Sequence, residues 1–328
     1  MKAIVYQKYG PPDVLQLKEV EKPTPKDDEV LVKVHAASLN SWDWDLLRGD
    51  FMNRLIFGGF LKPKLKIIGC DIAGRVEAVG RSVTHFQPGD EVFGDISGAG
   101  WGAFAEYVCA RENVLALKSA SMTFDEAAAI PQAGVLALQG LRDTGKIQSG
   151  QKVLINGAGG GVGTFGIQMA KLFGAEVTGV DSTPKLHMMR SIGADHVIDY
   201  TQEDFTKNGQ RYDLILDVVA RRSLSDYKRA LSPKGIFVMV GGSMPVIFQT
   251  LFLGPLISKT GGKKITVLMH KPNPKDLNSM TELFEAGQVL PIIDRRYPLS
   301  EVAEAFRYFG EGHAKGKVVI TLEHNNQT

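Results

Sequence analysis

Cysteine is nearly absent from this chain, and that scarcity removes more hypotheses than any single residue supplies. Two cysteines, Cys70 and Cys109, stand among 328 residues. They cannot build the multi-bridge framework of a small secreted domain, and they suit a reducing, cytoplasmic setting. The first ten residues carry charge without an apolar core, so no secretory signal is expected. Long apolar runs are missing too: the most apolar stretch, 244–258, is broken by Gln249, Gly254 and Pro255 and is too short to span a bilayer. Charge of one sign is in short supply, since 38 Lys+Arg against 36 Asp+Glu leave a formal +2, which makes no case for nucleic acid. None of the seven histidines has a metal-like partner at helical spacing. What is left, 44% hydrophobic and 23% charged residues over a length that suggests two domains, is the mixture of an ordinary soluble enzyme.

One stretch, 152–181, specifies both a backbone and a ligand. Val153 to Asn156 reads as a buried strand and runs into Gly157–Gly163, seven residues of which five are glycine. Val162, Phe165, Met169, Leu172 and Phe173 then recur at steps of three and four, the period of a helix lying on a sheet. Strand, glycine turn and helix in that order aim the helix's unpaired N–H groups and positive dipole end at a bound diphosphate. Gly157, Gly160 and Gly163 give G-x-x-G-x-x-G, with Gly159 and Gly161 as extras; the candidate contacts are Gly157, Gly160, Gly161, Val162 and Gly163. A second strand, from Glu176, ends at Asp181, 24 residues after Gly157, where a carboxylate meets the adenosine ribose of a dinucleotide.

Before residue 123 the chain shows short strand-like runs separated by Pro, Gly and Asp, the texture of an irregular, mostly β domain. From Thr123 an alanine-rich helical segment, interrupted by Pro131, leads into six strands alternating with helical segments, starting near residues 153, 177, 196, 214, 236 and 265. That alternation predicts a doubly wound parallel sheet over 123–270. The tail, 271–328, is expected to return to the first domain, 1–122, and to leave the active cleft between the two.

The runs IGCDIAGRVEAVG from Ile68, FQPGDEVFG from Phe86, GAFAEY from Gly102, AAAIP before Gln132, the GAGGGVG turn, GADHVIDY from Gly193 and GHAKGKVVI from Gly312 resemble the medium-chain dehydrogenase/reductase superfamily, over nearly the whole length. The resemblance is strongest to its zinc-free quinone oxidoreductase and enoyl reductase branch. It implies a GroES-like N-terminal domain, a Rossmann domain, and hydride transfer from a nicotinamide. Zinc members of that superfamily place cysteines at the positions of Asn40 and near Ala133, and a histidine at that of Cys70, so the resemblance implies no metal here. The acceptor is then expected to be a quinone or an α,β-unsaturated carbonyl, whose developing charge falls on an oxygen that a hydrogen-bond donor can hold. Asn40 is the candidate donor, with Trp42, Asp43 and Trp44 near it.

Cofactor choice divides the site. Asp181 favours NADH by repelling a 2′-phosphate, whereas Ser182, Thr183, Lys185 and Tyr200 match positions that hold that phosphate in zinc-free relatives; NADPH is expected, with NADH as the alternative. Gly241 and Gly242 admit a flat ring at the nicotinamide end. The apolar run 245–257 is read either as packing or a dimer contact, or as a lid for a lipophilic acceptor or a peripheral membrane contact. The sixth strand is expected at a sheet edge, paired with its copy in a homodimer. Two other readings stay open: a zinc alcohol dehydrogenase, and a non-catalytic NAD(P)H-binding sensor or structural partner.

Overall fold

The computed structural model describes residues 1–50, 54, 59–98, 100–260 and 262–323; the last five residues of the tail lie outside these. The chain forms two compact units, one of Met1–Gln132, Pro272–Glu285 and Pro291–Thr328, the other of Ala133–Lys271 and Ala286–Leu290.

The chain opens with β1 (Lys2–Val5), β2 (Gln16–Glu19), β3 (Glu29–Ser38), α1 (Ser41–Arg48), β4 (Asp71–Val79), β5 (Glu91–Asp95), β6 (Tyr107–Arg111), β7 (Leu115–Leu117) and α2 (Phe124–Ala129). There follow α3 (Pro131–Leu138), β8 (Lys152–Asn156), α4 (Gly161–Leu172), β9 (Glu176–Asp181), α5 (Leu186–Ser191), β10 (His196–Asp199), β11 (Tyr212–Asp217), α6 (Leu224–Ala230), β12 (Leu231–Met239), α7 (Met244–Thr260) and β13 (Lys264–Val267). The tail supplies α8 (Pro274–Glu285), β14 (Ile293–Pro298), α9 (Val302–Gly310) and β15 (Lys317–Thr321).

In the first unit a mixed sheet runs β14-β15-β3-β4-β5-β7, with β6 also pairing β3. The tail is built in, because β15 pairs antiparallel with the end of β3, Val319 opposite Ser38. The sequence divides the chain after residue 122, whereas the first unit runs on to Gln132. Two contacts hold the extra segment: α2 packs on β3, β4 and β15, and the Gln132 N–H donates to Asp71 Oδ1 at 3.0 Å. Helix α2 starts where Thr123 and Glu126 cap each other reciprocally, and the chain restarts as α3 at Pro131, whose missing N–H costs nothing in a first turn.

The second unit is a six-stranded parallel sheet, β10-β9-β8-β11-β12-β13. The order reverses between β8 and β11, and in such sheets ligands bind at the carboxyl ends of the strands beside that reversal. The register sets Asn156 directly beside Asp217 there. Phe165 and Met169 of α4 are buried on the sheet as the period predicts, but Leu172, expected on the same stripe, is 45% exposed. It is the last residue of the helix, just before the chain turns away at Gly174 (φ 76°). Strand β13 is the terminal strand of the sheet, as the sequence leads one to expect.

Candidate functional site

Strand β8 gives way to the turn at Gly157, whose φ of +79° is open to glycine at no steric cost. The N–H groups of Gly157 and Ala158 both donate to Val180 O, at 3.0 and 3.1 Å, and the Gly160 N–H donates to Gly157 O at 3.2 Å, which folds the turn flat under α4. Gly160 caps that helix and no side chain covers its end. The first-turn N–H groups of Gly161, Val162 and Gly163 have no intrahelical partner by the geometry of an α-helix. Gly163 lets α4 sit this close: a Cβ there would lie 2.2 Å from Gly157 O. The cradle fits a diphosphate, since the first-turn N–H donors and the positive dipole end of α4 act together at the turn.

The end of β9 is braced by its own charges. Asp181, 7% exposed, accepts from the Gly159 N–H at 2.9 Å through Oδ2 and from the Ser182 N–H at 2.8 Å through Oδ1. The Ser182 hydroxyl lies 3.4 Å from the same Oδ1, and Lys185 Nζ 3.3 Å from it. Asp181 and Lys185 are both buried and neutralise each other. Thr183, expected to face a phosphate, instead gives its hydroxyl to the Asp199 carboxylate, which also accepts from the Thr201 hydroxyl at 2.7 Å. The Thr183 hydrogen bond, followed by those from Thr201, holds the Asp199 carboxyl below its usual range. The ring of Tyr200 is exposed, while its N–H donates to Asp181 O at 3.1 Å. Nothing in the sequence marked Asp199 as the partner that takes Thr183.

Beyond β11 the backbone of Val218–Ala220 runs between the two glycine turns. A Cβ at Gly157 would meet Val219 at 3.3 Å, one at Gly241 would meet Val218 O at 2.8 Å, and one at Gly242 would meet Ala220 O at 2.4 Å. The Ala220 N–H donates to Gly241 O, and the Ser243 N–H to Ala220 O, both at 2.9 Å. Asp217, fully buried, anchors this run: Oδ1 accepts from Asn156 Nδ2 at 2.9 Å and from the Val219 N–H at 3.0 Å. Burial lifts its pKa to about 6 against those hydrogen bonds. A carboxyl whose folded pKa lies above its unfolded one makes stability fall as pH rises, here between about pH 4 and pH 6. Asp217→Asn is therefore expected to flatten that part of the stability curve and to be about 1–3 kcal/mol more stable than the parent at neutral pH. Urea denaturation across the window measures it; an unchanged slope would remove Asp217 as the titrating group.

In the first unit, the end of β3 delivers Asn40 into a buried polar cluster. Its Oδ1 accepts from Lys317 Nζ at 2.6 Å, and its Nδ2 donates to Asp71 Oδ2 at 2.9 Å and faces Cys70 Sγ at 3.4 Å. Lysine only donates, so the amide's orientation is chemically determined. Lys317, 2% exposed, also donates to Leu39 O at 3.1 Å and lies 3.3 Å from Asp71 Oδ2. The Ser38 hydroxyl sits 3.1 Å from Asp71 Oδ2 and 2.8 Å from Ala128 O. Asp43 accepts from the Asn40 N–H at 2.8 Å and the Gly69 N–H at 3.1 Å. Burial pushes the Asp43 carboxyl well up; burial also raises Asp71, with Lys317 opposing it, and raises the Cys70 thiol, with the neighbouring carboxylates adding to the effect. The sequence assigns Asn40 the role of donor to a substrate oxygen; the structure turns both its amide hydrogens toward protein atoms, as a buried amide requires.

Among the described residues one trio has metal-like proximity: ligand atoms of Cys70, Asp71 and Asp95 lie within 4.8 Å of one another. The set does not fit zinc. The Lys317 ammonium already stands beside Asp71, the amides of Asn40 and Gln132 direct N–H groups at Cys70 Sγ, at 3.4 and 3.2 Å, and burial keeps that sulfur a thiol rather than the thiolate a metal needs. Lys317 carried no signal in the sequence beyond its place in GHAKGKVVI.

Residues 26–120 match the alcohol dehydrogenase GroES-like domain, and residues 192–320 match a domain described as zinc-binding dehydrogenase. The chain is 36% identical to a tomato (Solanum lycopersicum) 2-methylene-furan-3-one reductase and 35% identical to an Arabidopsis thaliana chloroplastic NADPH-dependent alkenal/one oxidoreductase. Each alignment covers 98% of this chain and 79% of the relative. A quinone oxidoreductase from Coxiella burnetii has a similar structure, with a TM-score of 0.86 and 30% identity over 98% of this chain and 99% of that one. With sheet order, glycine turn and these matches in agreement, the chain belongs to the medium-chain dehydrogenase/reductase superfamily, in its quinone oxidoreductase-like branch.

Proposed function

We propose that this chain is a zinc-independent oxidoreductase that reduces quinones or α,β-unsaturated carbonyls with NADPH. The observation that carries the reading is the glycine-lined N-terminus of α4, covered by no capping side chain, which fits a dinucleotide diphosphate. Relatives named for reducing a methylene-furanone and for alkenal and alkenone chemistry support the acceptor class. A reduced nicotinamide dinucleotide held by its diphosphate on the turn would supply the hydride. The chain's own residues bind and orient: first-turn N–H groups hold phosphate oxygens, Asp217 holds Val218–Ala220, and Gly241 and Gly242, lacking side chains, let that run lie against the turn after β12 instead of leaving the open space for a flat ring that the sequence suggests. On the acceptor side, Asn40 offers the N–H that faces Cys70 Sγ, because sulfur is a weak acceptor and an electron-rich carbonyl oxygen displaces it readily. Lys317 supplies the fixed positive charge beside Asn40 that zinc supplies in other dehydrogenases. Solvent provides the proton.

Cofactor preference rests on Lys185. With Asp181 tied to Gly159, Ser182 and Lys185, its carboxylate is drawn away from ribose hydroxyls, and a 2′-phosphate would meet the Lys185 ammonium and the Ser182 hydroxyl. Lys185→Met removes that charge and releases Asp181, so kcat/KM for NADPH relative to NADH is expected to fall by about tenfold or more. An unchanged ratio in initial-rate assays would place the phosphate elsewhere. β13, terminal in its sheet, is proposed to pair with its copy in a homodimer. No described helix is long and apolar enough to cross a membrane. The two free cysteines suit a reducing compartment, the cytoplasm or the interior of an organelle such as that of the chloroplastic relative.

A panel of quinones, enals and enones assayed with both cofactors, on the parent and on Asn40→Ala, tests the reading. Acceptor-dependent consumption of NADPH, slowed in the variant at unchanged cofactor affinity, is expected. Tight NADPH binding without consumption by any acceptor would instead make the chain a nucleotide-binding sensor.

A further inference from the structure

Two buried side-chain amides direct N–H groups at one poor acceptor. Asn40 Nδ2 and Gln132 Nε2 face Cys70 Sγ at 3.4 and 3.2 Å. A thiol sulfur accepts weakly, and an N–H removed from water without a good partner costs free energy that native interiors ordinarily avoid. Here two such groups converge on the same sulfur. Cys70 is wholly buried, while Gln132 and Asn40 are 5% and 6% exposed, so the little surface the trio keeps belongs to the amide residues.

One carboxylate braces both. Asp71 Oδ2 accepts the other Asn40 Nδ2 hydrogen at 2.9 Å, and Oδ1 accepts the Gln132 backbone N–H at 3.0 Å. Lys317 Nζ donates to Asn40 Oδ1 at 2.6 Å; that charge-assisted bond polarises the amide and makes its N–H groups stronger donors. Apart from the sulfur contact, Gln132 is held by its backbone: no described residue donates to its Oε1, so the amide can turn on its stem toward a better acceptor. A fixed donor and an adjustable one, both within 3.4 Å of one point, have the layout of an oxyanion hole.

We propose that Gln132 is the second donor of a two-amide oxyanion hole, and that the Cys70 thiol only holds, in the free protein, the two N–H groups that a carbonyl oxygen of the acceptor takes over. The inference rests on the acceptor class proposed above and adds the residue that selects for it. Hydride delivered from NADPH to the β-carbon moves the C=C electron pair onto the carbonyl oxygen, and a solvent proton then goes to the α-carbon, leaving a saturated carbonyl and NADP+. Negative charge rests on that oxygen between the two steps. Two N–H groups hold the charged oxygen more strongly than the neutral carbonyl, which lowers the barrier rather than only binding the substrate.

Steady-state kinetics with NADPH and an aryl enone, beside urea denaturation, test this on three variants. Gln132→Leu, which keeps most of the bulk and loses the donor, should lower kcat and kcat/KM together by about tenfold or more at unchanged NADPH affinity. The Cys70 variants separate catalysis from stability. Cys70→Ser places a good acceptor between the amides, so kcat/KM should fall about tenfold while the denaturation midpoint stays at or above the parent's. Cys70→Ala frees both donors, so kcat/KM should rise several-fold while the midpoint drops. A merely structural trio predicts the reverse, an active Cys70→Ser and an impaired Cys70→Ala, and that pattern would overturn the inference. So would parent-like turnover by Gln132→Leu. Absorption of 4-(dimethylamino)cinnamaldehyde on the NADP+-loaded protein, where no hydride can be given, is the second readout. N–H groups on its oxygen shift the band to the red, and Gln132→Leu should lose part of that shift. A parent that shifts the dye but reduces no acceptor would remove the reductase reading and leave the hole standing; a parent that binds the dye unshifted would overturn the hole.

Discussion

Gly163→Val is expected to abolish cofactor binding, weakening NADPH by at least about 100-fold, and to lower unfolding stability by about 3 kcal/mol. A Cβ at this position would lie 2.2 Å from Gly157 O, 2.5 Å from Ala158 Cα and 2.6 Å from Ala158 C. All three are backbone atoms of the turn, so no side chain can swing aside, and α4 must lift away from the strand. Lifting moves the first-turn N–H groups off the phosphate and opens packing around Phe165, which is wholly buried. Gly160 is the internal control. Its φ of −93° suits any residue, and the nearest atom to a built Cβ is 3.5 Å away. Gly160→Ala should therefore keep the parent's stability. Fluorescence titration with NADPH beside urea denaturation reads both quantities; parent-like binding by Gly163→Val would mean the diphosphate does not sit on this turn.

Lys317→Met is expected to cost about 3–5 kcal/mol of stability at neutral pH, because it keeps the side chain's bulk and leaves Asp71 buried without its cation. The loss should depend on pH in a defined direction. Without Lys317, burial and the neighbouring Asp95 are opposed only by the hydrogen bonds from Asn40 and the Gln132 N–H, so the already raised pKa of Asp71 climbs further. A carboxyl raised in the folded state is most costly above its folded pKa, so the deficit is largest in alkali and shrinks as pH falls and Asp71 takes up a proton. The double variant Lys317→Met/Asp71→Asn, with both charges gone, should recover most of the stability. Denaturation midpoints for the three proteins at about pH 5 and about pH 8 decide it. An equal deficit at both would show that Lys317 matters for packing rather than for charge.

What the sequence disclosed, and what it withheld, follows from how each feature is encoded. The strand, glycine turn and helix of 153–172 are written locally, as a run of apolar residues, a cluster of glycines and a change of period, and all three stand where the sequence puts them. The six parallel strands were legible for the same reason. Strands β2 and β14 were not: the exposed QLKE and the charged IDRRYP lack the apolar alternation that marks a strand, and it is pairing with β1 and β15 that holds them extended. Helix α1 was missed because its eight residues, SWDWDLLR, are too few to establish a period. At the site, Asp181 and Lys185 were both visible, but not their pairing, which turns on side-chain directions after a strand end. Lys317 was invisible because its meaning lies in contacts with Asn40 and Asp71, 277 and 246 residues away in the chain.

Zinc content measured together with turnover tests the central claim most directly, because a domain of this chain matches one described as zinc-binding while the Lys317 ammonium stands beside Asn40 and Asp71. Protein purified with zinc in the medium, dialysed and assayed with NADPH and an enone should hold far less than one equivalent of zinc per chain and lose no activity to a strong chelator. One tightly held zinc per chain, whose removal abolishes turnover and whose return restores it, would contradict the account.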